Sequence, residues 1–358
     1  MEYVLVRKIT RRNPFSIEKL PLLARIYKYP FDKYSTVGKL ALFGAPNMLA
    51  FYLYRKLVPL KPIGIFGYDN QRLKKLITFD ARNTQFSSLY LSSLSLGYEP
   101  QVTALLDVLL PLDGVFLDVG SNWGLFSLFL ASKQGFRGRI HAFEPFPSTF
   151  EDLLSTVKQA ELENTISCHN VALSDEIGES TMRLAYNFQS GGAYLPRSHQ
   201  KNSKGGVKVR LQTLDSLNIG SVSILKVDAE GSEAKVFRGG FHLLANQRPM
   251  IVFENSKQTE DVEATLGPLG FLKDLGYVFF HLCWVRNHKN ISFFVGDETD
   301  PHAQMDETLA LVPFTTEVRF LRQEAMNIFA CPSEVLPQVE SHFEKVGYPK
   351  PNDTKGLI

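Results

Sequence analysis

Covalent cross-links, membrane spans and export signals are all scarce in this chain. Its 358 residues include only three cysteines, Cys168, Cys283 and Cys331. They are odd in number and far apart, which argues against a disulfide framework and against the paired spacing of a zinc site, so no metal is expected. Cys168 and Cys331 fall in predicted strands, where a thiol serves as a small apolar group. The apolar stretch from Leu40 to Tyr54 is fifteen residues long and is broken by Gly44-Ala45-Pro46-Asn47. A bilayer span needs about 20. The first ten residues hold neither an uninterrupted apolar run nor a small-residue cleavage site, so a reducing, cytoplasmic setting is expected. What the chain does have is 44% hydrophobic residues, enough for one large core and a smaller extra unit.

Charge is distributed unevenly. Residues 1–75 carry 15 Lys and Arg against 4 Asp and Glu, a net charge of +11, whereas the whole chain is +2 and the remainder therefore −9. Such asymmetry points to an anionic partner for the N-terminal part. The Leu40–Tyr54 run, bracketed by Lys39, Arg55 and Lys56, has the composition of a helix lying in a membrane interface, with basic residues on anionic headgroups. The blander and favoured expectation is a mainly helical extension over 1–80 that packs on the rest of the chain or on a dimer partner. No nucleic-acid contact is expected, because the basic residues are dispersed and follow no motif.

The chemistry is concentrated around Val115-Phe-Leu-Asp118-Val-Gly120-Ser121-Asn122-Trp123-Gly124 and the apolar run Leu125–Leu130. This reads as strand, tight turn and helix. Gly120 permits a turn with positive φ, Gly124 permits close approach of a ligand or strand, and the turn's N–H groups form an expected cradle for an anion. A second strand, Arg139–Phe143, ends in Glu144, 26 residues after Asp118. An acid closing the second strand of a nucleotide-binding βαβ unit accepts hydrogen bonds from vicinal ribose hydroxyls. Together the turn and the acid predict an adenosine-type ligand and leave open which one.

With Asn170-Val-Ala172-Leu-Ser174-Asp175, Thr213-Leu-Asp215 and Lys226-Val-Asp228-Ala-Glu230-Gly231-Ser-Glu233 added in order, the chain resembles the FkbM family of S-adenosylmethionine-dependent methyltransferases from about Gly97 to Pro332. The resemblance implies an α/β, Rossmann-like class I methyltransferase fold: a seven-stranded, mostly parallel sheet of order 3-2-1-4-5-7-6 with strand seven antiparallel. The expected division is 1–80 as extension, 81–335 as methyltransferase domain and 336–358 as peripheral tail. It also implies S-adenosylmethionine as cofactor and, as acceptor, a hydroxyl of a sugar, glycan or polyketide-type product. The cofactor-binding candidates are Asp118, Gly120, Ser121, Asn122, Gly124, Glu144, Ala172, Ser174 and Asp228, with Ala172 and Ser174 along the adenine ring. Tyr98 and Glu99 could lie near the site or merely cap a docking helix.

An alcohol acceptor needs a general base, and Asp228 and Glu230, closing the fourth strand, are the candidates, with His199 third. Two carboxylates at a strand end are costly unless partnered. Lys226 and Glu233 are equally readable as a structural ion pair or cap, and Ser232 as the start of the next helix. Ser180–Ala185 and Val207–Gln212 alternate as an inserted hairpin, and the long, glycine- and serine-rich connection Tyr186–Gly206 is placed to close over the ligands. No Asn-Pro-Pro-Tyr type amino-methylating signature is present, which favours oxygen as the acceptor atom. Two other readings stand beside this one. A nicotinamide-dependent oxidoreductase predicts a third glycine in the turn and leaves Lys226–Glu233 without a role; a cofactor-binding scaffold would have lost its catalytic acids.

Overall fold

A computed structural model of the chain describes residues 3–33, 53, 62–70, 73–91, 97–184, 193–194, 206–258, 261–288, 291–295, 306–322 and 325–347. His199, nearly all of the Leu40–Tyr54 run and most of the 186–206 connection lie outside them.

Among the described residues of 1–80, strands outnumber helices; nearly all of 34–61 lies outside them. β1 (Tyr3–Thr10) is followed by β2 (Phe15–Lys19), α1 (Leu22–Lys33), β3 (Ile63–Asp69) and β4 (Lys74–Asp80). The mainly helical expectation for 1–80 does not describe 3–19 and 63–80, where Tyr3–Thr10 and Ile63–Asp69 are rich in β-branched and aromatic residues and find pairing partners. β2, β3 and β4 form a small antiparallel sheet. Phe15 and Phe66 on its aromatic face, with Phe86 from the 3-10 turn Thr84–Leu89 that follows β4, close around Trp123 at ring distances of 5.1–5.7 Å. The tryptophan of the glycine turn thus anchors the N-terminal sheet.

The core comprises α2 (Pro100–Leu109), β5 (Val115–Val119), α3 (Leu125–Ala131), β6 (Arg139–Phe143), α4 (Pro147–Gln159), β7 (Ile166–His169) and β8 (Ala172–Leu173). Then come β9 (Gly178–Leu184), β10 (Ala193–Tyr194), β11 (Val207–Gln212), β12 (Ile224–Val227), α5 (Glu233–Arg238), α6 (Phe241–Gln247) and β13 (Met250–Ser256). The remainder is α7 (Val262–Asp274), β14 (Tyr277–His288), β15 (Ile291–Val295), β16 (Asp306–Phe314), β17 (Ala325–Pro332), α8 (Leu336–Glu340) and β18 (Glu344–Gly347).

The large sheet runs β7-β6-β5-β12-β13-β17-β14, the expected 3-2-1-4-5-7-6, and β17 is antiparallel to both its neighbours. It does not stop at seven strands. β16, β1 and β18 continue it and β15 pairs with β14, making eleven among the described residues. The expected peripheral tail therefore contributes, through β18, an edge strand paired with β1. β9 and β11 form the inserted hairpin, with β8 parallel to β11.

The central strands are apolar on both faces, as buried parallel strands must be. Phe116, Ile140 and Ile224 pack under α2, α3 and α4, whereas Leu117, Phe143, Leu225 and Phe253 pack under α5, α6 and α7. The carboxyl ends of β5, β6 and β12 are thereby brought together at one edge, where open α/β sheets bind ligands.

Candidate functional site

β5 and β6 end level with each other, Val119 opposite Phe143. This juxtaposition decides what the glycine turn can do. The N–H groups of Gly120 and Ser121 both donate to Phe143 O at 3.0 Å, and that of Gly124 donates to Ser121 O at 2.9 Å. Asn122 N–H donates to Glu144 Oε2 at 3.0 Å. The expected open cradle is thus corrected: these donors are already used, and the anion the turn holds is the protein's own Glu144.

The two glycines answer different steric demands. At Gly120, φ is +79°, and a Cβ would lie 1.9 Å from the carbonyl oxygen of Asp228, so only glycine lets the ends of β5 and β12 touch. At Gly124, φ is +96°, and a Cβ would lie 2.8 Å from Leu153 Cδ1. Its freedom serves the packing of α3 on α4. Ser121 donates its hydroxyl to Asp118 O and fixes the turn.

Glu144 is buried and receives a second N–H, from Phe146, at 2.9 Å. Burial outweighs both hydrogen bonds and pushes its pKa up to about 7. Beside it, Val119, Phe143, Val171, Leu173 and Met182 give the cavity an apolar wall. Asn170 braces the far side, its amide donating to the carbonyls of Glu144 and Pro145. Ala172 lines the cavity; Ser174 does not, being buried with its N–H on Gln212 O and its hydroxyl on Asp175.

The opposite rim follows β12. Asp228 and Glu230 line the cavity, and Glu230 adopts φ +49°, a left-handed conformation uncommon outside glycine. Glu233 turns back and accepts the N–H groups of Ala229 at 3.0 Å and Gly231 at 3.1 Å. It does for this turn what Glu144 does for the first. Ser232, expected to cap α5, makes no side-chain cap bond. Burial pushes Glu233 up to about 7. Glu230 stands at the open edge, yet loss of water to the surrounding protein, and then the carboxylates of Asp228, Glu254 and Glu233, push it up to about 8.

Of the residues singled out in the sequence, Gly120, Asn122, Glu144, Ala172, Asp228 and Glu230 meet in this one cavity. Asp118 lies beneath it, wholly buried, with Oδ2 on the Ser127 hydroxyl at 2.7 Å and Oδ1 without a partner. Burial raises its pKa. Asp215 belongs elsewhere: it accepts the N–H groups of His242 and Leu243 and caps α6. Sequence reading did not foresee Phe143, Val171 and Met182 in the wall, since apolar strand residues carry no mark of which end faces a ligand. Among the described residues no group of three or more metal-ligating side chains converges.

The donor set suits a ligand with three parts. Glu144 offers acceptor lone pairs to hydroxyls, the apolar wall suits a flat ring, and the Asp228 carboxylate suits a cation. The Asn122 Oδ1, buried and without a partner, is one further acceptor at the cavity.

Parts of the chain are similar to known proteins. Residues 118–279 match the model of the methyltransferase FkbM domain. A hexuronic acid methyltransferase, AglP of Haloferax volcanii, is 26% identical over 144 residues, covering 39% of this chain and 55% of that protein. Methyltransferase 1 of Beauveria bassiana is 28% identical over 153 residues, covering 36% and 59%. The matches thus span a little over half of each relative's length. Among solved structures, a methyltransferase FkbM from Methylobacillus flagellatus superimposes with a TM-score of 0.35 at 14% identity, over 56% of this chain and 44% of that one.

Proposed function

We propose, from the premise that residues 118–279 form an FkbM methyltransferase domain that uses S-adenosylmethionine, that this chain is an O-methyltransferase acting on a hydroxyl of a sugar, glycan or polyketide-type acceptor. The observation that carries the reading is the opposition, across one cavity, of Glu144 on the first rim and the Asp228–Glu230 pair on the second. The relative named for hexuronic acid methylation supports a sugar as acceptor.

S-adenosylmethionine supplies, when bound, a methyl group on a sulfonium whose charge is lost on transfer. Glu144 would take the ribose hydroxyls with the lone pairs that Asn122 and Phe146 leave free. Phe143, Val171 and Leu173 would flank the adenine, and Ala172 is small enough to let it approach. Asp228 would face the cationic end, where a carboxylate steadies the ligand more than it speeds the reaction. Catalysis then comes mainly from alignment of the two substrates in the cleft.

Glu230 is the residue we assign to the acceptor. A neutral hydroxyl is a poor nucleophile, and a carboxylate raised to about 8 accepts its proton near neutral pH far better than an ordinary glutamate would. The Glu230→Gln protein is expected to turn over roughly 10²–10⁴ times more slowly on a panel of hydroxylated sugars and polyketide-type products, with affinity for S-adenosylmethionine changed less than threefold. Wild-type turnover in the amide would remove Glu230 from the chemistry. Transfer to amines and to no hydroxyl would sink the O-directed reading.

A further inference from the structure

The cavity between Glu144 and Asp228 makes no use of the basic N-terminal part of the chain. That part has a concave site of its own. Between β1 and α2 runs a groove of about 310 Å³, within the size range of small-molecule pockets. One wall is the consecutive run Arg7 to Arg12, the second half of β1 and the two residues after it. The other takes Thr103, Ala104, Asp107 and Val108, which the 3.6-residue period puts on one face of α2, and Phe129 of α3 adjoins them. Among the described residues, no lining residue is common to the groove and the cavity.

The groove is lined by four cations, Arg7, Lys8, Arg11 and Arg12, against one acid, Asp107. Two of the four are committed to the protein. Arg12 donates to Asp107 Oδ1 at 2.9 Å and to Phe129 O at 3.0 Å, and its guanidinium lies 4.2 Å from the centre of the Phe129 ring. Arg11, 7% exposed, is ion-paired with Glu307, which also holds Arg286 at 2.7 Å. These two guanidinium groups are fixed parts of the wall. Asp107 is matched by Arg12, and the Lys133 ammonium donates to its carbonyl, so the one lining acid is already surrounded by positive charge. Arg7 and Lys8 stand differently. Arg7 is half-buried and donates to His342 O at 2.6 Å, Lys8 is exposed, and among the described residues neither forms an ion pair. A guanidinium carries five N–H donors, so Arg7 keeps others for a ligand.

We propose that this groove binds the oxyanion of a small hydroxylated molecule, a phosphate or a carboxylate held by Arg7 and Lys8. A guanidinium meets either group through two parallel N–H bonds, and an ammonium adds a point charge. A concave wall of one sign concentrates such ligands from solution. The Thr103 hydroxyl donates to Pro100 O at 3.1 Å and so offers its lone pairs to a ligand hydroxyl. Ile9, Ala104, Val108 and Phe129 give apolar contact to a carbon skeleton. Volume, hydroxyl and apolar surface together suit a sugar phosphate or sugar acid better than a bare ion. The site stands on the groove alone and does not rest on the methyltransferase reading.

The test is calorimetry on the whole chain with glucose 6-phosphate, gluconate and glucose at about 0.15 M salt, where exposed charges are screened beyond about 8 Å. At least one of the two anions should bind roughly tenfold tighter than glucose or more, and the tighter of them identifies the oxyanion. Saturating S-adenosylhomocysteine should change that affinity less than about threefold, because the two sites share no residue. The double variant Arg7→Ser with Lys8→Ser should weaken the anion roughly tenfold or more while S-adenosylhomocysteine binds within about twofold of wild type. Arg7→Lys with Lys8→Arg keeps both charges and should lose less than about threefold. Should the serine pair fail to fold, Lys8→Glu alone, at an exposed position, must weaken the anion by about threefold or more. Neither anion binding better than glucose, displacement by S-adenosylhomocysteine, or full affinity in the serine pair each overturns the proposal. An anion bound as expected by a chain that methylates nothing would break the functional reading and leave this site standing.

Discussion

The two rims of the cavity use the same device to different ends. Each is a sharp turn at the carboxyl end of a parallel strand, and each is held by a buried glutamate that accepts backbone N–H groups: Glu144 from Asn122 and Phe146, Glu233 from Ala229 and Gly231. The difference is where the clamp stands. Glu144 reaches across from the neighbouring strand and faces the cavity; Glu233 belongs to the helix that follows its own turn and lies outside the cavity lining. A clamp from outside the turn is at once scaffold and ligand site. A clamp from within is scaffold alone, and frees Glu230 to project.

Glu144→Ala should therefore do the most damage. It removes acceptors for ligand hydroxyls and for two N–H groups, with charge-assisted bonds worth about 1.5–3 kcal/mol each. Binding of S-adenosylhomocysteine should weaken by roughly a hundredfold or more, read by calorimetry. Affinity within twofold of wild type would end the assignment. Glu233→Ala should invert the pattern. Loss of two buried N–H partners is expected to cost about 2 kcal/mol in urea denaturation, while affinity changes less than tenfold. If the two variants lose affinity equally, the distinction between the clamps is wrong.

How much of this was legible beforehand depends on the kind of information each residue carries. The strand order from β7 to β14 was legible only through the resemblance to the FkbM family, whereas the meeting of Gly120, Glu144, Asp228 and Glu230 follows from strand ends marked by glycine and acid, a local pattern. The eleven-stranded extent was not legible. β1 is an ordinary amphipathic strand whose partner, β16, lies about 300 residues away, and nothing local names a partner at that distance. Nor was the use of the turn's N–H groups. That depends on β5 and β6 ending level, a matter of register. Nor were the local partners of Ser174 and Gly124, which are Gln212 and Asp175 for the first and Leu153 for the second.

The smallest expected effect concerns pH. Glu144 and Glu233, both buried and near 7, retain protons in the fold that the unfolded chain, with glutamates at 4.5, has already released. Stability therefore falls as pH rises through those values. His169 and His281, lowered to about 4, act in the opposite sense, but only up to their ordinary value of 6.5. Between pH 6.5 and 8.5 the acids decide the sign, and the ligand-free protein should lose on the order of 1 kcal/mol. A melting temperature that climbs across this window would mean that the two clamps are ionised at neutrality.

The pairing of Tyr3–Thr10 with Asp306–Phe314, and of Tyr3–Val6 with Glu344–Gly347, carries a consequence for assembly. Closing contacts over some 300 residues is entropically slow, and on the ribosome the first of these strands waits for the last. Until then β16, with its Leu309-Ala-Leu-Val312 stretch, presents an unpaired edge of the kind that recruits other chains. β1 therefore acts as an internal gatekeeper, and β18, whose four residues are all exposed and two of which are charged, takes over the rim as the blunt outer strand. Shortening the chain at either of these strands would cost solubility before it cost the cavity, because the site lies at the other half of the sheet.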